Sequence, residues 1–206
     1  EMVPQYFRNR NPFAEEDELK RKWAKTPRMN WRNYQKIQPS REEITQWHKQ
    51  YPHANWAAIT GINFVVVDSD SNESTQWIQD GNISSTPMTQ SSPSGGRHFF
   101  YSAPTNRVVR NSVGQNKIDV RGEGGYIMVV PSYNYRMQYD DSFLINDFDE
   151  LPLLTEEDIQ KVFSFNNDGK VVSLREKLTE EPRSQGSRND TLARLVGKWI
   201  KEGWGM

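Results

Sequence analysis

Asp68 and Asp70 stand two residues apart, directly after Ile62-Asn-Phe-Val-Val-Val67, a short β-branched stretch that reads as a buried strand. Side chains two apart on a strand leave the same face, here about 7 Å apart along the backbone. Paired carboxylates suit hard cations such as Mg²⁺, and phosphoryl-transfer sites hold two such ions roughly 4 Å apart through shared acids. The same Asp-Ser-Asp could instead be a solvated turn that caps the next helix. Asp119 lies in Lys117-Ile-Asp-Val-Arg-Gly122, where Ile118 and Val120 would face a core and leave Asp119 on the opposite face. Taken alone, it reads as an exposed strand acid paired with Arg121. Ser91-Ser-Pro-Ser-Gly-Gly-Arg-His98 is a glycine-rich turn running into a strand with His98 at its mouth. Paired glycines let backbone N–H groups approach a phosphate, with a serine hydroxyl and a histidine as further donors. A plain β-hairpin loop with a satisfied histidine fits the same residues.

Several elements must position these groups. Ser40-Arg-Glu-Glu43 is a capping box, and Ile44, Trp47, His48 and Tyr51 follow at helical spacing until Pro52. A polar helix is expected from Glu73 to Asp80, stopped at Gly81. His98-Phe-Phe-Tyr101, Ile118-Asp-Val120 and Tyr126-Ile-Met-Val-Val130 are strand candidates between glycine-rich turns, and Tyr133 to Tyr139 suggests a polar hairpin. Residues 1–39 read as loop-like or short helical sequence carrying Trp23, Trp31 and Tyr34. The aromatic rings in general read as core or strand-face residues rather than as a stacking platform.

The character changes near Leu154. Thr155-Glu-Glu-Asp158 and Ser173-Leu-Arg-Glu176 are helix starts, and Ser187-Arg-Asn-Asp190 opens a helix with Leu192, Leu195, Val196, Trp199 and Ile200 on one face. The expected division is a catalytic domain over 1–154, then a linker and the start of a helical domain over 155–206.

Composition narrows the class. The 206 residues are 34% hydrophobic and 26% charged, enough for one medium domain and a small appendage. No apolar run approaches the ~20 residues of a membrane span, and the start shows no signal peptide. Glu1 ahead of Met2 has the look of a cloning remnant. With no cysteine, disulfides and thiolate zinc sites are excluded within the chain, which fits a reducing cytoplasm. A formal net charge of −1 gives no basic surplus, so any nucleic-acid groove must come from local clustering of Lys and Arg.

Taken together, the acid-x-acid strand end, the small-residue loop ending in histidine and the apolar-Asp strand follow one another in a fixed order. Val65-Val-Val-Asp-Ser-Asp70, Thr89-Gln-Ser-Ser-Pro-Ser-Gly-Gly-Arg-His98 and Ile118-Asp-Val-Arg-Gly-Glu-Gly-Gly-Tyr126 resemble the archaeo-eukaryotic primase superfamily. Within it, the resemblance is to the bifunctional primase-polymerase domains of phages, plasmids and mobile elements. It extends through Val130-Pro-Ser132 and upstream to Lys25-Thr-Pro27, Trp31, Trp47, Pro52-His-Ala-Asn55 and Ile59-Thr-Gly61, covering about residues 20–135. Gly186-Ser-Arg-Asn-Asp-Thr-Leu192 is similar to the start of the helical domain that often precedes a helicase, and also fits an ordinary capped helix.

The resemblance implies an α/β (α+β) catalytic domain with an RNA-recognition-motif-like sheet, followed by a small helical segment. It implies that Asp68, Asp70 and Asp119 hold Mg²⁺ or Mn²⁺ in a two-metal site; the Cys/His zinc stem that some relatives use is missing from this sequence, so no zinc is expected. It makes His98 a triphosphate contact, with Ser94, Gly95 and Gly96 shaping the loop and Arg121 and Lys25 as further phosphate contacts. The residue two before the histidine is often serine in the superfamily and is Gly96 here. The implied activity is template-dependent DNA primase and polymerase chemistry on NTPs or dNTPs, with a single-stranded DNA template, a primer and a C-terminal helical or helicase region as partners. Its implied place is the cytoplasm of a bacterial, archaeal or phage-infected cell. Two other classes are a metal-dependent nuclease or replication-initiator endonuclease and a non-catalytic replisome DNA-binding module. Initiators pair two histidines around one apolar residue, and His48, His53 and His98 form no such pair.

Overall fold

The computed structural model describes residues 3–114, 118–130, 132, 136–139 and 150–167. It is an α+β fold in which, among the described residues, the paired strands all run antiparallel. Two N-terminal helices, α1 (Gln5–Arg10) and α2 (Glu16–Ala24), are followed by a 3₁₀ turn (Arg32–Gln35) and α3 (Arg41–Gln50). Then come β1 (Trp56–Ile59), β2 (Phe64–Ser69), α4 (Asn72–Trp77), a π-type turn (Ile78–Asn82), β3 (Met88–Ser91) and β4 (Arg97–Ser102). The remainder is β5 (Ile118–Arg121), β6 (Tyr126–Val129), β7 (Arg136–Tyr139) and α5 (Glu156–Asn166). Among the described residues no helix is long and apolar enough to cross a membrane.

The capping signals are realised. Ser40 Oγ accepts from the Glu43 N–H while Glu43 Oε2 accepts from the Ser40 N–H, so two orphan donors of α3 are satisfied reciprocally. Thr155 and Asp158 do the same for α5. Gly81, with φ +83°, turns the chain where the polar helix was expected to stop. The starts at Ser173 and Ser187 fall outside the described residues.

Strands β1 and β6 form a two-stranded ribbon, and the larger sheet runs in the order β5-β2-β4-β3-β7. Within it, β2-α4-β3-β4-β5 arranges its strands with the first and third in the centre, the layout of an RNA-recognition-motif sheet. Of the expected polar hairpin over Tyr133 to Tyr139, residues 133–135 lie outside the described residues; 136–139 form β7, which pairs with β3 at the edge of this sheet, Gln138 opposite Thr89.

Alternation along each strand sorts side chains onto two faces. Val65, Val67, Phe99, Tyr101, Ile118 and Val120 point to one face and are covered by Ile78 at the end of α4 and by Ile159 and Val162 of α5. Phe64, Val66, Met88 and Phe100 point to the other, against Ile127 and Ala58 of the ribbon. The polar ends of the same strands, Asp68 included, therefore emerge on the ribbon side. The expected boundary after Leu154 leaves α5 outside the core. In the structure α5 is part of that core, and the first compact unit runs from Glu1 to Lys170.

This placement has a measurable consequence. Burying Ile159 and Val162 contributes about 1.5–3 kcal/mol each, a large share of an ordinary domain's stability. A chain ending at Leu154 is expected to melt well below one ending at Lys170, or to be insoluble. Equal melting temperatures would show that α5 adds nothing to the fold.

Candidate active site

Register brings the acids together. Asp68 on β2 lies opposite His98 on β4 and opposite Asp119 on β5. Gln90 on β3 in turn lies opposite His98. Directly opposed residues of antiparallel strands share a face, so Asp119, Asp68, His98 and Gln90 form one row across four strands. Asp70, one residue past the end of β2, returns to the same side. Asp68, Asp70 and Asp119 each present a carboxylate oxygen, all within 4.8 Å of one another. Asp68 and Asp119 are buried and Asp70 is exposed. Three hard oxygen donors this close suit a divalent cation of the Mg²⁺ or Mn²⁺ type.

Such crowding of like charge is held by one guanidinium. Arg121 follows Asp119 by two, on the same face of β5. Its Nη2 donates to Asp119 Oδ2 at 2.6 Å and to Asp68 Oδ2 at 3.2 Å, and its Nε donates to Asp68 Oδ2 at 3.3 Å. The Asp119–Arg121 pair read from the sequence is thus present, but it closes over a buried acid. The Gly114 N–H donates to Asp119 Oδ1 at 2.8 Å and fixes the carboxylate's other edge. Loss of solvent around Asp119 raises its pKa, against the pull of Arg121 and the Gly114 N–H. Asp70 is raised by reduced solvation and then by Asp68 and Asp119, with Arg121 and Lys25 opposing. Burial is also the main influence on His98, and it lowers the pKa by disfavouring the charged ring; Asp68 opposes this, while Arg121 and Lys25 reinforce it.

The loop before β4 packs against the acids' own strand. The Gly95 N–H donates to the Ser92 carbonyl at 3.1 Å and the Ser92 N–H to the Gly96 carbonyl at 2.9 Å, closing a tight turn with Gly95 at φ +88°. A Cβ on Gly96 would sit 2.3 Å from the Ser69 carbonyl oxygen and 3.3 Å from the Asp70 Cα. Glycine stands where a serine is common in the superfamily because the backbone of Ser69 and Asp70 occupies the space. Ser94 Oγ lies 3.0 Å from Ser92 Oγ, at the outer side of the turn.

Two features escape sequence reading. Gln90 is fully buried behind His98, inside a Met-Thr-Gln-Ser stretch whose strand character comes from pairing with β4 and β7. Phe64, Phe99, Phe100 and Tyr101 are core residues as expected, but Trp31, Tyr34, Trp47, Trp56 and Tyr126 are half-buried around a cavity of about 500 Å³ that Lys25 also lines. Lys25 carries its charge close enough to act on Asp70 and His98, and its carbonyl accepts from the Tyr126 hydroxyl at 2.9 Å. The aromatic cavity and the acid row are therefore neighbours.

A family model described as bifunctional DNA primase/polymerase, N-terminal, matches residues 6–153, which take in the acid row, the loop and the cavity. The chain belongs to this family. Primase/polymerase-type nucleotidyl transfer and metal dependence go with the family in general, and the acid cluster is where a primase/polymerase domain of this shape could bind its metal. No curated protein matches the chain.

The raised carboxyls set the pH dependence of cation binding. A cation needs the ionised acids, so protons compete with it. Because Asp70 and Asp119 hold protons above the ordinary aspartate range, Mn²⁺ affinity is expected to be complete at neutral pH and to fall as pH drops, beginning before an ordinary aspartate titrates. Calorimetric Mn²⁺ titrations at successive pH values measure this. Affinity that stays flat into the ordinary aspartate range would remove these acids from the ligand set.

Proposed function

We propose that the chain is a template-dependent DNA primase/polymerase that transfers a nucleotidyl group from a nucleoside triphosphate to a primer 3′-hydroxyl or to that of a first bound nucleotide. The observation that carries this reading is the meeting of three carboxylates from two strands in one row with His98, each acid within 4.8 Å of the others. Asp68, Asp70 and Asp119 are the proposed ligands for two Mg²⁺ or Mn²⁺ ions. When bound, such ions neutralise charge on the triphosphate and favour ionisation of the attacking hydroxyl. In the reaction the 3′-oxygen forms a bond to the α-phosphorus, the bridge to the β-phosphate breaks, and pyrophosphate leaves.

The chain's own groups do the remaining work. His98 lies beside Asp68, its Nε2 3.4 Å from Asp68 Oδ1, and would donate to a phosphate oxygen of the triphosphate. It positions the triphosphate and does not serve as the base. Ser94, Gly95 and Gly96 hold the loop that carries it against the acids. Arg121 and Lys25 supply positive charge to the phosphates. The neighbouring cavity offers aromatic faces and apolar walls, the surroundings a nucleobase selects. A single-stranded DNA template, its primer and a C-terminal helical or helicase region are the proposed partners, and a cytoplasmic replication complex the proposed setting.

The test supplies template and labelled NTPs or dNTPs, with and without primer, under Mg²⁺ and then Mn²⁺. His98→Ala is expected to lower incorporation efficiency by about 10- to 150-fold, the worth of one hydrogen bond to a charged group, while leaving Mn²⁺ binding intact. Asp70→Ala is expected to fall to background. Wild-type nucleotide use by His98→Ala would take the triphosphate away from this loop.

A further inference from the structure

Gln90 does no chemistry, yet its hydrogen bonds leave His98 a single choice. The side chain is fully buried, and the strand it belongs to is one removed from the acids. Its Oε1 accepts from the Val130 N–H at 3.1 Å, and its Nε2 donates to the Met128 carbonyl at 2.7 Å. Both partners belong to β6 or the residue after it, so Gln90 ties the five-stranded sheet to the ribbon. These two bonds fix the amide. Turned over, it would set an NH₂ against the Val130 N–H and an oxygen against the Met128 carbonyl, two like-with-like contacts at a fully buried side chain.

With the amide so oriented, the second hydrogen on Nε2 points to His98 Nδ1, 2.9 Å away. That nitrogen must accept. A neutral imidazole carries one N–H, so its proton sits on the other nitrogen. We propose that Gln90 is a positioning residue for the nucleotide site, committing His98 to the tautomer whose proton is on Nε2, the nitrogen that faces Asp68 and the acid row. The assignment follows from the groups that Gln90 meets: two hydrogens on its amide nitrogen, a carbonyl and a ring nitrogen to receive them, and its amide oxygen receiving a backbone N–H.

The consequence is a division of labour. His98 Nε2 presents a hydrogen to whatever anion lies over the row, and has no lone pair with which to take a proton from an attacking hydroxyl. Its use toward a triphosphate rests on the proposed function; the tautomer itself does not. Gln90 also transmits the ribbon's position to the histidine, because the backbone atoms that lock the amide belong to the ribbon side of the fold.

The chain has three histidines, so the ring nitrogens of His98 can be identified by ¹⁵N NMR from the signals lost in His98→Ala. At mildly alkaline pH the wild type is expected to show a bare Nδ1 and a protonated Nε2. In Gln90→Glu the carboxylate can still accept from Val130 but can no longer donate to the ring, so the proton is expected to move to Nδ1. In Gln90→Met, which keeps the volume and removes the donor, both tautomers are expected. Both variants should raise the Kd and KM for nucleotide several-fold, up to about tenfold, with kcat changed less and Mn²⁺ affinity unchanged. A wild-type His98 protonated on Nδ1 overturns the proposal, and needs no variant to fold. Folded variants that keep the wild-type tautomer overturn it too, and a shifted tautomer with unchanged nucleotide affinity overturns the positioning role. A wild type that shows the expected tautomer but incorporates no nucleotide sustains the assignment to Gln90 and sinks the proposed activity instead.

Discussion

Asp68 meets Asp119 on one side and His98 on the other only because β2 is held in one register between β5 and β4. The side-chain period of a strand is two, so a slip of one residue would turn Asp68 toward the helices and put Val67 in its place. What forbids the slip is apolar. Val65, Val66 and Val67 are all completely buried, two against the helices' face and one against the ribbon. Each such burial contributes about 1.5–3 kcal/mol. Two like charges roughly 4 Å apart repel by about 4 kcal/mol at an effective dielectric near 20. The valines, with their partners on β4 and β5, outweigh that repulsion, and Arg121 offsets part of it by bridging Asp68 and Asp119.

The result is a site that stores unfavourable charge in a defined geometry. Among the described residues three acids face one guanidinium, with Lys25 acting from further off, so the cluster gains from a cation. Protons are the alternative, and loss of solvation first, with neighbouring acids behind it, lets Asp70 and Asp119 hold them above their ordinary range. The whole chain's net charge of −1 hides this, since the recognition chemistry lies in a few residues at one end of a sheet. The same sheet end places a histidine beside the acids and an aromatic cavity close by, so phosphate, cation and base would each find a different kind of surface within one small region.

Most of the site was legible because strand periodicity is a short-range property. The i, i+2 spacing of Asp68 and Asp70 and the alternation of Ile118 and Val120 around Asp119 assigned faces correctly. Capping boxes at Ser40 and Thr155 fixed helix starts. What could not be read depends on distant partners. Met88-Thr-Gln-Ser91 has no apolar alternation and becomes a strand because β4 and β7 flank it, so Gln90 gave no signal. Helix α5 is amphipathic in sequence whatever it packs on, and only the fold shows that it covers β2 and β5 rather than opening a tail. Gly96 read as a residue for phosphate approach, whereas the contact that requires it is with the Ser69 carbonyl. The half-buried aromatics are individually ordinary and line a cavity only once the N-terminal helices fold against the ribbon.

The proposed function requires that one strand register build a site for two cations bridged by shared acids. Electron paramagnetic resonance of the full chain with Mn²⁺ and a non-hydrolysable nucleoside triphosphate addresses it directly. Two magnetically coupled Mn²⁺ ions per chain are expected in the wild type, with the coupling lost in Asp119→Asn although the protein remains folded. Isolated, uncoupled Mn²⁺ in the wild type, or coupling that survives Asp119→Asn, would contradict it.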